Sequence, residues 1–538
     1  MATDVLTLPG NHRLPLWGLG LGLLIVMAWN TTLYDENGLV KDARLTGAIE
    51  SNWETQGASN CTDAHGDYDA FIPGMRGHAA CTRGGFVPGT TVYSVTNTNT
   101  SGTGSLSWAL SQSSPKVILF DVAGHVDFGS VNGPYNCGTQ QGCDNTSIVG
   151  ASAPGQFAIT GGGDSSALRL GGSHLTVDHL IVTSHGRDGI TSSDSRDAIN
   201  TGWQQNGKTH KLYLNSAFIW GYDETFQCYD STSDQQNAVQ LWQTIVGLPG
   251  LIDTGDVDHR YAQMNHWMCL QSANIRSVYI HNDGRTPFTR GDGLLHANNI
   301  SFNSGFQNLL SQPCGSNTVT HYRISIINNL TLRGPDTTMA TSKSVAELQS
   351  ATCKTGTVAI YENGNAVQTA VGQAIADCTS YNCITGENSS GNTMVGTADS
   401  YATATGFVPE TFDASSDGEI TAFANNILEH VGPRPADRLS YIQTRVVDQI
   451  GAGLAGTGTM GTYVGGNPAL RANMETDMSG EGGFAAITDT GSWDASAQCG
   501  GIPASPDAIQ SSGLTALHEW VITCFYDSVM PAGYREAL

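Results

Sequence analysis

LTVDHLIVTS (175–184), KLYLNSAFIWG (211–221), AVQLWQTIVG (238–247), RSVYIHNDGRTP (276–287), LLHANNISFNS (294–304) and YRISIINNLTLRG (322–334) recur from Ser173 onward, and their reading decides the fold. Each combines β-branched and aromatic residues with the period-2 alternation of a strand. Clusters of Gly, Ser, Asp and Asn separate them, and no long amphipathic helix intervenes. The spacings are uneven, roughly twenty to forty residues, which suits coils of a solenoid that carry loops of different sizes. A strand that cannot bury its apolar side alone can do so by stacking in parallel on the coil below. Asn at repeated turn positions fits, because it tolerates a left-handed backbone and its amide can bond to the next coil. A β-sandwich with irregular loops is the competing architecture. The runs predict an all-β protein, a right-handed parallel β-helix.

The chain has 538 residues, room for one long solenoid or two to three compact domains. With 65 Gly and only 13% charged residues, it is rich in turns rather than helices. Asp and Glu number 48 against 24 Lys and Arg, a formal charge of −24. That balance disfavours nucleic acid, which needs a basic footprint. It also repels an acidic polysaccharide unless salt screens the charge or a divalent cation bridges it.

Twelve cysteines, with close neighbours at 137/143 and 378/383, read as disulfides formed in an oxidising compartment. Metal ligation is the weaker alternative, since there is no CxxC and no Cys/His cluster at zinc spacing. Connectivity does not follow from the sequence. Residues 14–29, LPLWGLGLGLLIVMAW, have the length of a signal-peptide core and fall short of the roughly twenty residues of a spanning helix. If retained, the run is an anchor or an apolar plug that contacts a membrane or an assembly. The chain therefore divides into 1–30 (apolar segment), 31–80 (polar extension, with a short helix near Leu39–Trp53), 81–460 (solenoid) and 461–538 (an appendage with a helix over Leu514–Tyr526, tied by Cys499 and Cys524).

Residues 81–129, CTRGGFVPGTTVYSVTNTNTSGTGSLSWALSQSSPKVILFDVAGHVDFG, resemble the opening of extracellular polysaccharide lyases of the pectate lyase type. The shared features are a Gly-rich turn, a strand ending in Val-Thr-Asn, a Gly-Ser-Leu segment opening a capping helix, and a strand ending in Phe-Asp-Val. The helix makes physical sense as a short amphipathic cap on the open end of a solenoid. The likeness continues through 145–155 and the strands above, and returns in NNILEHVGPRPADRLSYIQTRVVDQIGAG (425–453). It covers roughly residues 70–455, and 88–129 is its most specific part.

The resemblance implies calcium-assisted β-elimination of a pectate-like acidic polysaccharide. Arg285-Thr286-Pro287-Phe288-Thr289-Arg290 is similar to the family's R-x-P-x-x-R element, which makes Arg285 the base and Arg290 a contact for the substrate carboxylate. A guanidinium is an unusual base because it holds its proton to very high pH. The family's preference for alkaline conditions agrees with that. The plainer alternative is that both arginines pair with loop carboxylates such as Asp283 and Asp292. For the cation, the resemblance points to Asp197 and to Asp223 with Glu224; calcium takes six to eight oxygen ligands in flexible geometry. A further family Asp is replaced by Gln227 or Cys228; Gln227 offers a carbonyl oxygen but no charge. The usual Lys is also missing, and His266 is the polar residue nearest its place. Trp220, Trp242 and Trp267 either stack on sugar rings or pack laterally.

Asp178-His179 resembles an acid/base pair but sits where coils carry stacking polar residues. Sequons at Asn30, Asn60, Asn99, Asn145, Asn299, Asn329 and Asn388 admit glycosylation, though so Ser/Thr-rich a chain makes many by chance. Two functions stay open. One is a secreted or surface-attached lyase. The other is a non-catalytic β-helix with a glycan-binding groove, such as a virion spike, filament subunit or adhesin, in which homo-oligomers are expected.

Overall fold

A computed structural model describes residues 33–34, 40–41, 61–63, 66–68, 70–72, 75–128, 135–137, 142–161, 166–184, 197–201, 209–221, 223–228, 236–248, 261–265, 269–305, 308–311, 321–337, 345–348, 357–370, 375–378, 383–386, 392–394, 410–433, 438–455, 487 and 499–526. Among them, three long sheets of eleven, ten and nine strands run side by side, and the chain visits them in turn. One circuit runs from Thr209–Leu214 in the first sheet through Ala217–Ile219 in the second to Glu224–Cys228 in the third. The next begins at Gln236–Trp242, paired in parallel with Thr209–Leu214. Within these sheets every pairing among the described residues is parallel except that of Ala366–Gln368 with Ile375–Asp377. The protein is a right-handed parallel β-helix.

Parallel register stacks equivalent side chains. The inner row of the first sheet reads Ile118, Ile148, Val177, Tyr213 and Leu241. That of the second includes Val126, Ile159, Val182, Phe218 and Val246. Continuous burial of such rows removes apolar surface from water that no single coil could hide. The rows then turn polar: Leu241 is followed by Asn274 and His296, and Val246 by Tyr279 and Ser301. This layer separates the larger apolar interior from a smaller one around Leu294, Ile324 and Ile360.

The bend from first to second sheet takes two residues in most coils: Asn215-Ser216, Gln243-Thr244, Arg276-Ser277, Asn298-Asn299 and Asn328-Asn329. The first of each pair is left-handed, with φ between 40° and 54°, where Asn costs least among residues with a Cβ. The second bonds coil to coil. Backbone N–H groups of Thr244, Ser277, Asn299 and Asn329 donate to the side-chain oxygens of Ser277, Asn299, Asn329 and Asn365 at 3.2, 2.8, 2.9 and 2.9 Å. Asn299 and Asn329 are buried in this ladder, so those two sequons are closed to a glycan in the folded chain.

Both other outer faces are covered. Leu212, Leu214, Trp242 and Ile275 on the first sheet pack against Phe71, Phe86 and the helical segment that follows Thr515. Ile181, Ile219, Trp220 and Ile280 on the second pack against the helix Asp417–His430 and the helical stretch from Ser440 to Ala455. The helix Leu106–Ser111, capped by Ser105, buries Leu106, Ala109 and Leu110 over the open N-terminal end. The Lys116 ammonium caps its other end, donating to the carbonyls of Leu110 and Gln112, and burial lowers that ammonium to about 8. The C-terminal helix is Ala516–Val521, continued by Ile522–Tyr526.

Disulfides join Cys61–Cys81, Cys137–Cys143, Cys228–Cys269, Cys378–Cys383 and Cys499–Cys524, each to its neighbour in sequence order. Cys314 and Cys353 lie outside the described residues, as does the apolar run 14–29. The helix expected near Leu39–Trp53 is corrected where residues are described: Val40–Lys41 forms a short antiparallel pair with Leu33–Tyr34. No described helix is long and apolar enough to cross a membrane.

Candidate functional site

The third sheet gathers the charged residues that the chain keeps far apart. Asp197 stands just before the strand Ile199–Asn200, and Asp223 just before Glu224–Cys228. The next strand, Tyr261–Asn265, lies in register with Glu224–Cys228, Tyr261 opposite Glu224. Tyr261 in turn is bridged to Gly284, which delivers Arg285. Strands in a sheet are about 4.8 Å apart, so three coils bring residues 197, 223–224 and 285 to one edge.

Asp197, Asp223 and Glu224 each offer a carboxylate oxygen within 4.8 Å of the others. Asp197 is fully buried; its oxygens accept from the Ser166 hydroxyl at 2.9 Å and the Glu224 N–H at 3.2 Å. Glu224 forms an ion pair with Arg285, whose side chain is 23% exposed against 1% for the glutamate. The Arg285 Cζ sits 3.8 Å from the centroid of the Tyr261 ring and 5.2 Å from that of Phe288. Arg290 joins from the same coil, with its Cζ 4.9 Å from the Phe288 centroid.

Crowded acids repel one another's charge. Burial first, then the Asp223 carboxylate, push Asp197 up to about 8, against the bonds from Ser166 and Glu224 and the charge of Arg169. Burial and Asp223 also push Glu224 well above the ordinary carboxylate range, while Arg285 pulls the other way. Burial, with Arg285 adding to it, lowers the Arg290 guanidinium. This donor set fits a hard divalent cation: all ligands are oxygens, and a bound positive charge offsets the repulsion that drives two of the acids toward protonation.

Asp197, Asp223, Glu224, Arg285 and Arg290 thus lie near one another on the third sheet. Arg285 meets Glu224, not a carboxylate of its own loop, and Asp292 instead holds Arg323 at 3.1 Å. Gln227 is adjacent but turned: its carbonyl accepts from Asn200 at 2.5 Å and its amide N–H donates to Glu224 at 3.4 Å. That departs from the ligand role expected of its oxygen. The expectation of sugar stacking by Trp220 and Trp242 is corrected. Trp220 is buried beneath the Ser440 helix and donates to the Tyr441 hydroxyl at 3.3 Å, while Trp242 is fully buried on the first sheet. His266 and Trp267 lie outside the described residues. Asp178-His179 is structural: Asp178 accepts from the Ala151 N–H at 2.8 Å, from His179 at 3.0 Å and from the Tyr526 hydroxyl, all buried. Ser166, Asn200 and Tyr261 belong to the site without having been singled out; only their place in register with the acidic coils marks them.

No family model matches this sequence, and comparison with curated proteins finds no match. Solved structures similar to the chain include the thermostable pectate lyase PL 47, at 14% identity over 68% of this chain and 97% of that one, with a TM-score of 0.38. The cedar pollen allergen jun a 1 is similar at 12% identity over 65% and 92%, with a TM-score of 0.37. Pectate lyase C from Erwinia chrysanthemi, solved at pH 9.5 with 30 mM Ca2+, is similar at 12% identity over 70% and 98%, with a TM-score of 0.30.

Proposed function

We propose that the third-sheet edge binds an acidic polysaccharide and cleaves it by β-elimination, with Arg285 as base. The observation that carries this is the meeting of three carboxylates from two coils with the Arg285 and Arg290 guanidinium groups from a third. A divalent cation such as calcium, held by Asp197, Asp223 and Glu224, would supply charge to steady the developing enolate beside a uronate carboxylate. Arg290 orients that carboxylate as a planar, two-pronged donor. Arg285 must exchange Glu224 for the substrate and give up a proton before it can accept the one on C5. The C5–H electrons then form the C4–C5 double bond as the C4–O bond breaks and water protonates the departing oxygen, leaving an unsaturated uronide and a new hydroxyl chain end. A net charge of −24 opposes an anionic polymer at long range, so screening salt belongs in the assay. The disulfides fit an extracellular setting for such a substrate.

One observation favours the non-catalytic reading. Arg285 already neutralises Glu224 with a charge of the protein's own, as a purely structural ion pair does. Incubation with polygalacturonate and calcium at alkaline pH, followed by the absorbance of the unsaturated product, separates the two. The lyase reading expects turnover in the wild type and a loss of about 100-fold or more in Arg285→Ala. No turnover in the wild type, with polymer binding retained, leaves the groove as a glycan-binding surface only.

A further inference from the structure

We propose that Tyr261 is the positioning residue of Arg285, a ring platform that sets the plane of the guanidinium. Its catalytic consequence rests on the lyase reading above; its geometry does not.

The Glu224 contact fixes where the charge sits but leaves the planar fork free to turn about it. The ring removes that freedom, because the Arg285 Cζ lies over its face at 3.8 Å, well inside the roughly 6 Å limit of a cation–π contact. Tyr261 is itself held on both sides. It stands opposite Glu224 in one coil and bridges Gly284 in the other, and its N–H donates to the Asp223 carbonyl at 3.2 Å. Two residues on, the Gln263 N–H donates to the Arg285 carbonyl at 3.0 Å.

The rest of that strand is pinned from inside. The Gln263 side chain accepts from the Tyr279 hydroxyl at 2.6 Å and donates to Asn265 at 3.1 Å and Asn274 at 3.2 Å. Asn265 donates to Ser272 at 3.2 Å. The polar layer that interrupts the apolar interior therefore clamps the strand carrying the platform. A one-residue slip would break every one of these bonds, and Tyr261 as a whole is only 8% exposed.

The test replaces the ring and reads two quantities. Tyr261→Leu is expected to lower kcat about tenfold with KM within about twofold, as for loss of a desolvated cation–π contact. Tyr261→Phe keeps the ring face and is expected to stay within about twofold of wild type on both. Should Tyr261→Leu fail to fold, Tyr261→Met fills similar volume without a ring. Independently of turnover, phenylglyoxal modification of Arg285, followed by peptide mass spectrometry against Arg323 as reference, is expected to be several-fold faster without the ring and unchanged in Tyr261→Phe. Equal Arg285 reactivity in the ringless variant and wild type overturns the proposal, as does an equal kcat. If wild type shows no turnover, the lyase reading falls and the reactivity measurement alone decides this one.

Discussion

At the scale of single residues, Asp197 is a carboxyl whose chemistry departs far from its type. Folding moves it from an ordinary 3.8 to about 8 by burial and by the Asp223 charge. Below about pH 4 the carboxyl is neutral folded or unfolded. Above that the unfolded chain releases a proton the folded chain keeps, so stability falls as pH rises toward about 8 and then levels. Asp197→Asn removes this dependence. In chelator, its Tm relative to wild type is expected to be higher at pH 8 than at pH 4 by a few degrees, since an unfolding entropy of about 2 cal/mol/K per residue makes 1 kcal/mol worth about 1 °C in a chain this long. Calcium should narrow the gap by stabilising the ionised wild type. Scanning calorimetry at the two pH values checks it, and a gap independent of pH would refute the account. Asp197, Asp223, Glu224 and Arg285 were picked out in the sequence only because R-x-P-x-x-R and the acidic positions before it resemble the pectate lyase pattern; taken alone, such residues at turns pair with loop charges just as readily. Tyr261 was not, since a tyrosine opening a strand looks like core. Trp220 and Trp242 misled for the opposite reason: nothing local tells that the outer faces of two sheets are themselves covered.

Among the elements, the asparagine turns add side-chain bonds to the backbone ladders that hold coil on coil. Asn329 accepts from the Asn299 N–H at 2.9 Å and its side-chain amide at 3.0 Å, and donates to the His296 carbonyl and Asn365 at 2.9 Å. Asn329→Ala strips partners from several buried groups at once, an expected cost of about 2–4 kcal/mol. Asn329→Asp removes the donors and buries a charge, and is expected to cost more. Urea unfolding reads both, through a lower midpoint at unchanged slope; an alanine variant as stable as wild type would show that the ladder is ornamental. The runs LLHANNISFNS and YRISIINNLTLRG already displayed this turn, because Asn-Asn between two apolar triplets has a stated backbone reason. Which residue of each pair bends and which bonds needed the register, and that depends on coils dozens of residues away.

For the molecule as a whole, burial of histidine sets how it meets acid. His78, His296 and His518 are lowered by burial to about 3, and His210 and His281 to about 4. The unfolded chain takes up these protons near the ordinary 6.5, the folded chain only near 3–4. Their contribution to stability is therefore complete above about pH 6.5 and lost as pH falls. Near pH 5 the five together favour the unfolded state by about five protons. Asp197, Glu224 and Glu362, raised in the fold, act in the opposite sense. Burial is the largest cause in all five histidines and moves them the same way. The sequence shows 15 histidines but not which of them face inward, since that is settled by stacking such as His518 on Phe86 at 4.4 Å. The Tm is expected to drop steeply from pH 6.5 toward pH 4.5 and, in chelator, to decline more gently from pH 6.5 toward pH 8, where the raised Asp197 gives up its proton. His518→Phe, which keeps the stack and removes the titrating ring, should reduce the slope near pH 5 by about one proton. A Tm flat across that range would mean these rings are hydrated in solution, and the packing of the C-terminal segment on the first sheet would have to be redrawn.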